Sequence, residues 1–430
     1  MKNPFSVKII EIIGYFYERM FDEKVSVDVE KFIKNLSYVG FGIVISTLFG
    51  VGYNIYAGRI LGPTGYGEFT LVQTISLFLS LPMIFGFSTA MIKYSCENHD
   101  LSHQRIIVST ASMLVILFTI LSTLIYSLFI PQLSKLFSVS ENFFILSVVL
   151  AILYSLYFHC MSILRSLDLL KIYSSITIFQ NILIAIIFLF FVIAGFISFK
   201  SILFSFFITY CVICVIIFFI IIKYIRLNFD KTWARTMANY AFFAMIGAVS
   251  FVFYTNISKL IIQNFMSFTD LGIYSAYSFS SINVIGLLTG IFFTVFFPFA
   301  SKYQNKDVIF VKIRKITPYL FIFGFPFVIT IQYFMLKLYG ENYPIIPELM
   351  ILFAIASLLI AYYGIYDWTF CSAGIPGIKL VGISSVSIAI ANIIFNIILI
   401  PLFGLAGAIS STIFGFFIGI LVLSRFKRLI

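Results

Sequence analysis

Long apolar runs separated by short polar connections fill most of this chain. A helix needs about 20 mainly apolar residues to cross the hydrocarbon of a bilayer, and twelve runs meet that requirement. The first half holds Leu36–Ala57, Thr70–Ile92, Ile106–Ile130, Phe143–Leu164, Ser174–Ile197 and Ser201–Ile222. The second half holds Ala241–Ile262, Ile273–Ala300, Pro318–Leu336, Leu349–Phe370, Leu380–Leu402 and Ala406–Leu423. Between them, the most polar internal stretch carries Lys223, Arg226, Asp230, Lys231 and Arg235 and reads as a linker. The pattern predicts a tail over 1–35, a six-helix lobe over 36–222, a linker over 223–240 and a second six-helix lobe over 241–430.

Polar positions fix the orientation. With an even number of spans both termini lie on one side, and the loops of that side carry 23 of the 28 Lys and Arg, against 4 on the other. The excess marks the cytoplasm, so both termini are expected to be cytoplasmic in a multi-pass cell-membrane protein. In the tail, Phe5, Ile9, Ile13, Phe16 and Met20 recur at helical spacing beside Lys8, Glu11, Glu18 and Arg19. That spacing predicts an amphipathic helix lying on the membrane surface.

Composition agrees. Of 430 residues, 61% are hydrophobic and 10% charged, whereas soluble domains run at about 25% charged. The net charge of +11 is spread thinly between apolar runs, unlike a nucleic-acid-binding patch. Five Cys stand mostly in or beside apolar segments, and the C-x-x-C of Cys211 and Cys214 reads as helix packing rather than redox chemistry.

The halves resemble one another. QNILIAIIFLFFVIAGFIS at 180–198 can be laid over ANIIFNIILIPLFGLAGAIS at 391–410, and GPTGYGEFTLVQTI at 62–75 over TDLGIYSAYSFSSI at 269–282. Repeats of six spans enter the membrane in the same orientation and are related by an axis along its normal. The expected fold is therefore an all-α integral membrane protein, with twelve transmembrane helices in two six-helix lobes related by pseudo-two-fold symmetry. Gly40, Gly42, Gly50, Gly52, Pro82, Pro298 and Pro326 mark sites of kinking or close helix approach.

The segment N-I-Y-A-G-R-I-L-G-P-T-G-Y-G-E-F, Asn54 to Phe69, resembles polysaccharide flippases of the Wzx type. G-F-S-T-A-M-I-K-Y at 86–94, L-G-I-Y-S-A at 271–276 and the run from C-S-A-G-I-P-G to I-L-I-P-L-F-G-L-A-G-A-I-S at 371–410 are similar to the same family. The resemblance covers nearly the whole chain past residue 35. It implies kinship with the lipid II flippase MurJ and the multidrug and toxin extrusion antiporters, all built from two six-helix bundles. It further implies outward transfer of undecaprenyl- or dolichyl-linked oligosaccharide by alternating access. Expected partners are that lipid-linked oligosaccharide, the membrane lipids and glycan-assembly enzymes, with no nucleic acid and no cofactor. Family members often carry an acidic-basic pair in the seventh span; here Ser258 and Lys259 stand in its place, which puts ion coupling through that acid in doubt.

Such a cargo is anionic at its phosphate, so cations near the membrane are its candidate ligands. A charge within the hydrocarbon is costly and functional by default, and Lys259 lies within the seventh run, about 6 Å by helical rise from its outer end. Arg59 follows the first span on the outer face and can share a phosphate with Lys259 if the two face each other. Arg165 and Lys93 end the fourth and second spans on the cytoplasmic side, where cargo is received. Asp367, beside Tyr366 and Trp368 in the tenth span, is the most embedded acid and a candidate for a charge pair or coupling proton. His159, midway along the fourth span, is a candidate proton carrier, though a lone membrane His more often bonds to a neighbouring helix. His99 and His103 are too few for a metal site.

No Walker A loop, G-x-S-x-G elbow or H-E-x-x-H is present, so an ATPase or hydrolase is not expected. Two alternatives stand beside the flippase: an ion-coupled multidrug or metabolite efflux antiporter, and a membrane enzyme of glycan polymerisation. The first is at odds with the scarcity of membrane acids, the second with outer loops all too short to bind donor and acceptor.

Overall fold

The computed structural model describes residues 27–97, 101–222, 228–290, 292–293 and 307–426. The expected surface helix around Phe5 to Met20 lies outside the described residues. Among them, ten helices are long and apolar enough to cross a membrane. Two of these hold two crossings each: Val27–Ile84 breaks at Gly62 (φ 67°, ψ 175°) and Ile375–Arg425 at Gly404 (φ 56°, ψ −132°). Both breaks fall between expected runs, the first and second, then the eleventh and twelfth. Ten helices thus give twelve spans. The other eight are Leu101–Leu128, Glu141–Ser166, Leu170–Ile193, Phe199–Ile221, Lys231–Phe265, Phe268–Gly290, Asp307–Tyr339 and Pro347–Cys371.

The dihedrals at Gly62 are those that only glycine adopts without strain. A Cβ there meets nothing within 4 Å among the described residues, so the cost of replacing it is backbone strain. Gly62→Ala is expected to destabilise by about 1–3 kcal/mol, seen as a lower unfolding temperature in detergent; an unchanged temperature would mean that the break relaxes freely.

The second span is not the single run its hydropathy suggests. Its helix stops at Ile84, Phe85 and Gly86 take positive φ (45° and 76°), and a second piece runs from Phe87 to Glu97. Pro82 removes one backbone donor just before this break. A π turn, Phe279–Asn283, interrupts the eighth span. Residues 223–227 of the expected linker are outside the described residues, and Lys231 already begins the seventh span. Asp230 caps it: its carboxylate accepts from the Trp233 N–H at 2.9 Å.

Lipid offers helices no hydrophobic drive to associate, so close backbone packing and polar contacts must join them. The lobes meet in this way along the second and eighth spans, at the ends remote from the termini, here called outer. The Thr64 and Thr269 hydroxyls lie 2.8 Å apart and those of Thr70 and Ser275 3.0 Å apart. Between them the backbones touch. A Cβ on Gly67 would stand 2.0 Å from the Phe268 carbonyl oxygen, and one on Gly272 1.8 Å from that of Pro63. Both hydroxyl pairs are 205 positions apart, and so are Gly67 and Gly272. A constant offset is what two parallel helices astride a lengthwise two-fold axis require. The true register therefore sets Gly62 against Ser267, two residues away from the overlay of 62–75 on 269–282. Tyrosines extend this outer seam: Tyr66 and Tyr339 hydroxyls are 3.2 Å apart, and Tyr343 donates to the Gly58 carbonyl at 2.9 Å.

Candidate functional site

Thr70, Thr74 and Phe78 recur every four residues on the second span and so share one helix face. Thr70 meets Ser275 in the outer seam, and Phe78 meets Phe253 of the seventh span edge-on, ring centroids 5.0 Å apart. Between these two contacts the lobes part around a cavity of about 160 Å³, room for about five waters. The first lobe contributes Gln73, Thr74, Ser76 and Leu77 from its second span, Leu150 and Tyr154 from the fourth, and Phe206 and Tyr210 from the sixth. The second lobe contributes Asn256 and Lys259.

The seventh helix continues to Phe265, so Lys259 stands about 9 Å inside its outer end by helical rise. Its side chain lines the cavity and forms no ion pair among the described residues. Thr74 is 1% exposed and its hydroxyl has no hydrogen-bond partner among the described residues. Asn256 donates its amide N–H to Thr255 Oγ1 at 2.8 Å and to the Val252 carbonyl at 3.4 Å. Ser76 is committed elsewhere, donating to the Ser147 carbonyl at 2.9 Å and so tying the second span to the fourth. The opposite wall is aromatic and braced: Tyr157 stacks on Tyr210 with centroids 4.6 Å apart and donates its hydroxyl to Gln180. An ammonium without a carboxylate, in surroundings of low dielectric, attracts an anion more strongly than it would in water.

The other candidates lie elsewhere. Arg59 is exposed beside Gly340, outside the cavity lining, so the structure does not set it face to face with Lys259. Lys93 and Arg165 are exposed at one corner of the first lobe's inner side. Lys93 Nζ sits 4.3 Å from the Tyr240 ring centroid, a cation–π contact across to the seventh span. Cys96, one turn on, has its thiol pushed up by burial and by Asp168, with Arg165 opposing. Asp367 is half-buried within the second lobe, near Tyr254 and Tyr363, and forms no ion pair among the described residues. Cys211 faces outward, and Cys214 is a free thiol hydrogen-bonded to that of Cys160 on the fourth span.

His159 is 4% exposed and joins three helix segments, with Ser88 Oγ 2.9 Å from Nδ1 and Ser112 Oγ 2.9 Å from Nε2. Both nitrogens are thus engaged inside the first lobe, away from the cavity. His159→Leu is expected to cost about 1–2 kcal/mol of stability and to leave the pH profile of activity unchanged; a shifted profile would make His159 a proton carrier.

Sequence reasoning missed Gln73, Thr74, Tyr154, Tyr210 and Asn256. The available signal was Gln73 and Thr74 side by side in a span otherwise poor in amides, on the face that also holds Thr70.

Comparison with known proteins bears out the resemblance. The sequence profile of the family described as "Polysaccharide biosynthesis protein" matches residues 32–304. The "Uncharacterized membrane protein MJ1068" of Methanocaldococcus jannaschii is 25% identical over 202 residues, 45% of this chain and 39% of that protein's length. Among solved structures, a multidrug resistance MATE family transporter of the MOP superfamily in its inward-facing conformation superposes with a TM-score of 0.65 at 13% identity, over 89% of this chain and 96% of that one. The lipid II flippase MurJ in an inward closed conformation gives 0.60 at 15% identity, over 90% and 87%. The MATE multidrug transporter DinF-BH gives 0.64 at 14% identity, over 92% and 95%. At such identities the likeness is one of fold, and the fold is the expected pair of six-helix lobes.

Proposed function

The chain belongs to the polysaccharide biosynthesis protein family, and from that premise we propose that it is a flippase that carries lipid-linked oligosaccharide from the cytoplasmic to the outer leaflet. The observation that carries this reading is Lys259, an ammonium without an acidic partner among the described residues, in a cavity between two lobes. Lipid-linked saccharides join a polar head to a prenyl tail through phosphate. A cationic cleft shelters the phosphate and the head while the tail stays in lipid. The lobes rock about the cavity, and the excess of basic residues in the loops on the side of the termini supports a cytoplasmic location for both. The family and the fold make this a transporter rather than an enzyme.

Efflux of a cationic compound is the second reading, favoured by the fold of the MATE transporters. Against it, no acid among the described residues lines the cavity and a Lys does. The deciding test is a leaflet assay on proteoliposomes holding this protein and a fluorescent prenyl-phosphate oligosaccharide, with an impermeant quencher outside. Label should cross between leaflets only where the protein is present. Vesicles that move a cationic dye against a gradient and leave the saccharide lipid in place would establish efflux instead.

A further inference from the structure

A second hollow opens on the lipid side of the first lobe, away from the seam between the lobes. Leu48, Phe49, Tyr53 and Tyr56 of the first span and Leu189 of the fifth form its walls, and Gly52 and Ala185, with little bulk of their own, leave the space between them. That space is about 510 Å³, within the roughly 300–1,000 Å³ usual for bound small molecules. We propose that this groove seats the prenyl tail of the cargo, at the end next to the phosphate, while the phosphate is held at the level of Lys259. This rests on the flippase reading and adds to it where the lipid half of the cargo is bound.

The groove has the direction of a lipid chain. Leu48, Gly52 and Tyr56 recur every four residues and so line up along one face of their helix, over about 12 Å by helical rise. Tyr56 precedes the break at Gly62 by about 9 Å of helical rise, the same depth as Lys259 on the seventh span. From that level the groove runs inward, towards the middle of the bilayer, as the tail of a lipid seated in the outer leaflet does. It also adjoins the cavity. Tyr53 packs edge-on against Phe206 with ring centroids 6.0 Å apart, and Phe206 is a wall residue of the cavity that holds Lys259. One pair of rings stands between an apolar slot open to lipid and a polar space with a cation, and a molecule whose phosphate joins a saccharide to a prenyl chain needs these two surroundings side by side.

That adjacency decides the occupant. Lipid is as apolar as the groove, so a chain that enters gains packing rather than hydrophobic burial, and a chain of the surrounding bilayer gains little by staying. A tail whose phosphate is already held beside the groove is presented to it at high effective concentration, so the groove fills with the tail of the molecule bound next to it. Gly52 agrees with an occupied slot. Glycine is, after proline, the poorest residue for a helix interior. Close backbone contact accounts for it at Gly67 and Gly272, whereas a Cβ on Gly52 would meet nothing within 4 Å among the described residues; a side chain there would extend into the groove.

Photolabelling of the purified full-length protein tests this, in vesicles of phosphatidylethanolamine and phosphatidylglycerol with two probes at equal amount. One is an undecaprenyl-phosphate saccharide with a diazirine in the isoprene unit next to the phosphate, the other a phosphatidylethanolamine with a diazirine in one acyl chain. With adducts located by mass spectrometry, the prenyl probe is expected to mark 48–56 and 185–189 at least about tenfold more than the phospholipid probe. Gly52→Leu fills the groove from open space and suits a helix better than glycine, so it should keep the unfolding temperature, erase this labelling and slow leaflet transfer of the saccharide lipid about tenfold. Gly52→Ala, which adds one carbon, should change each far less. Equal marking by both probes would make the groove a seat for ordinary boundary lipid and overturn the proposal, as would undiminished transfer by Gly52→Leu; either result leaves the flippase reading standing. Failure of the unaltered protein to move the saccharide lipid overturns the flippase reading and this proposal with it. Should Gly52→Leu not fold, the two probes on the unaltered protein still decide.

Discussion

Gly272→Ala is expected to hold the outer seam apart and to stop transport in a protein that still inserts. Its new Cβ would lie 1.8 Å from the Pro63 carbonyl oxygen and 3.1 Å from the Gly67 nitrogen. Both are backbone atoms that no rotamer change can move. Relief comes only by separating the second and eighth spans, which also stretches the hydroxyl contacts of Thr64 with Thr269 and of Thr70 with Ser275. Overpacking of this kind costs about 1–3 kcal/mol, a shift of roughly 5–150-fold against the closed seam. The measurement is oxidative cross-linking of the pair Thr64→Cys and Thr269→Cys in membranes. The pair should cross-link rapidly in the otherwise native chain and at least about tenfold more slowly with Gly272→Ala present. Gly67→Ala, which meets the Phe268 carbonyl at 2.0 Å, should behave alike because the contact is reciprocal. Equal cross-linking rates with normal transport would show that the lobes do not pivot at this seam.

The seam also shows where sequence reading reaches its limit. Hydropathy alone separates the spans, because every backbone group in lipid must be satisfied within a helix, which leaves long apolar runs with few interruptions. Gly62 and Gly404 could be placed between runs for the same reason. The register of the repeat could not: Gly67 and Gly272 match because the two backbones touch, and flanking side chains that face lipid or the lobe interior carry no trace of that constraint. A charge inside a span is conspicuous on grounds of cost, so Lys259 was legible. Thr74 and Asn256 were not, since polar residues in membrane helices commonly serve to join neighbours. Asn181, which donates to the Ser46 carbonyl at 2.8 Å, does so here. Which polar residue faces a neighbour and which faces a cavity depends on the rotation of the helix within its lobe, and that is set by packing from other spans.

Lys259→Met is expected to abolish transport and at the same time to stabilise the fold. An ammonium held inside a span opposes insertion by about 2.5–3.5 kcal/mol, and Lys259 has no ion-pair partner among the described residues to offset this. Replacement of such a charge by an apolar side chain of similar length removes the desolvation cost and keeps the packing, so the unfolding temperature should rise. Loss of a charge-assisted hydrogen bond to phosphate costs about 1.5–3 kcal/mol, roughly 10–150-fold in affinity, and the rate of leaflet transfer should fall accordingly. Lys259→Arg keeps the charge and should retain a measurable part of the activity. Lys259→Glu reverses it and should exclude the anionic lipid altogether. If the protein instead exports cations, Lys259→Glu should increase dye transport, the opposite sign. The pairing of a gain in stability with a loss of function is what distinguishes a ligand from a packing residue: a Lys259→Met variant both less stable and inactive would assign Lys259 to the support of the fold, and the anion in the cavity would need another cation to hold it.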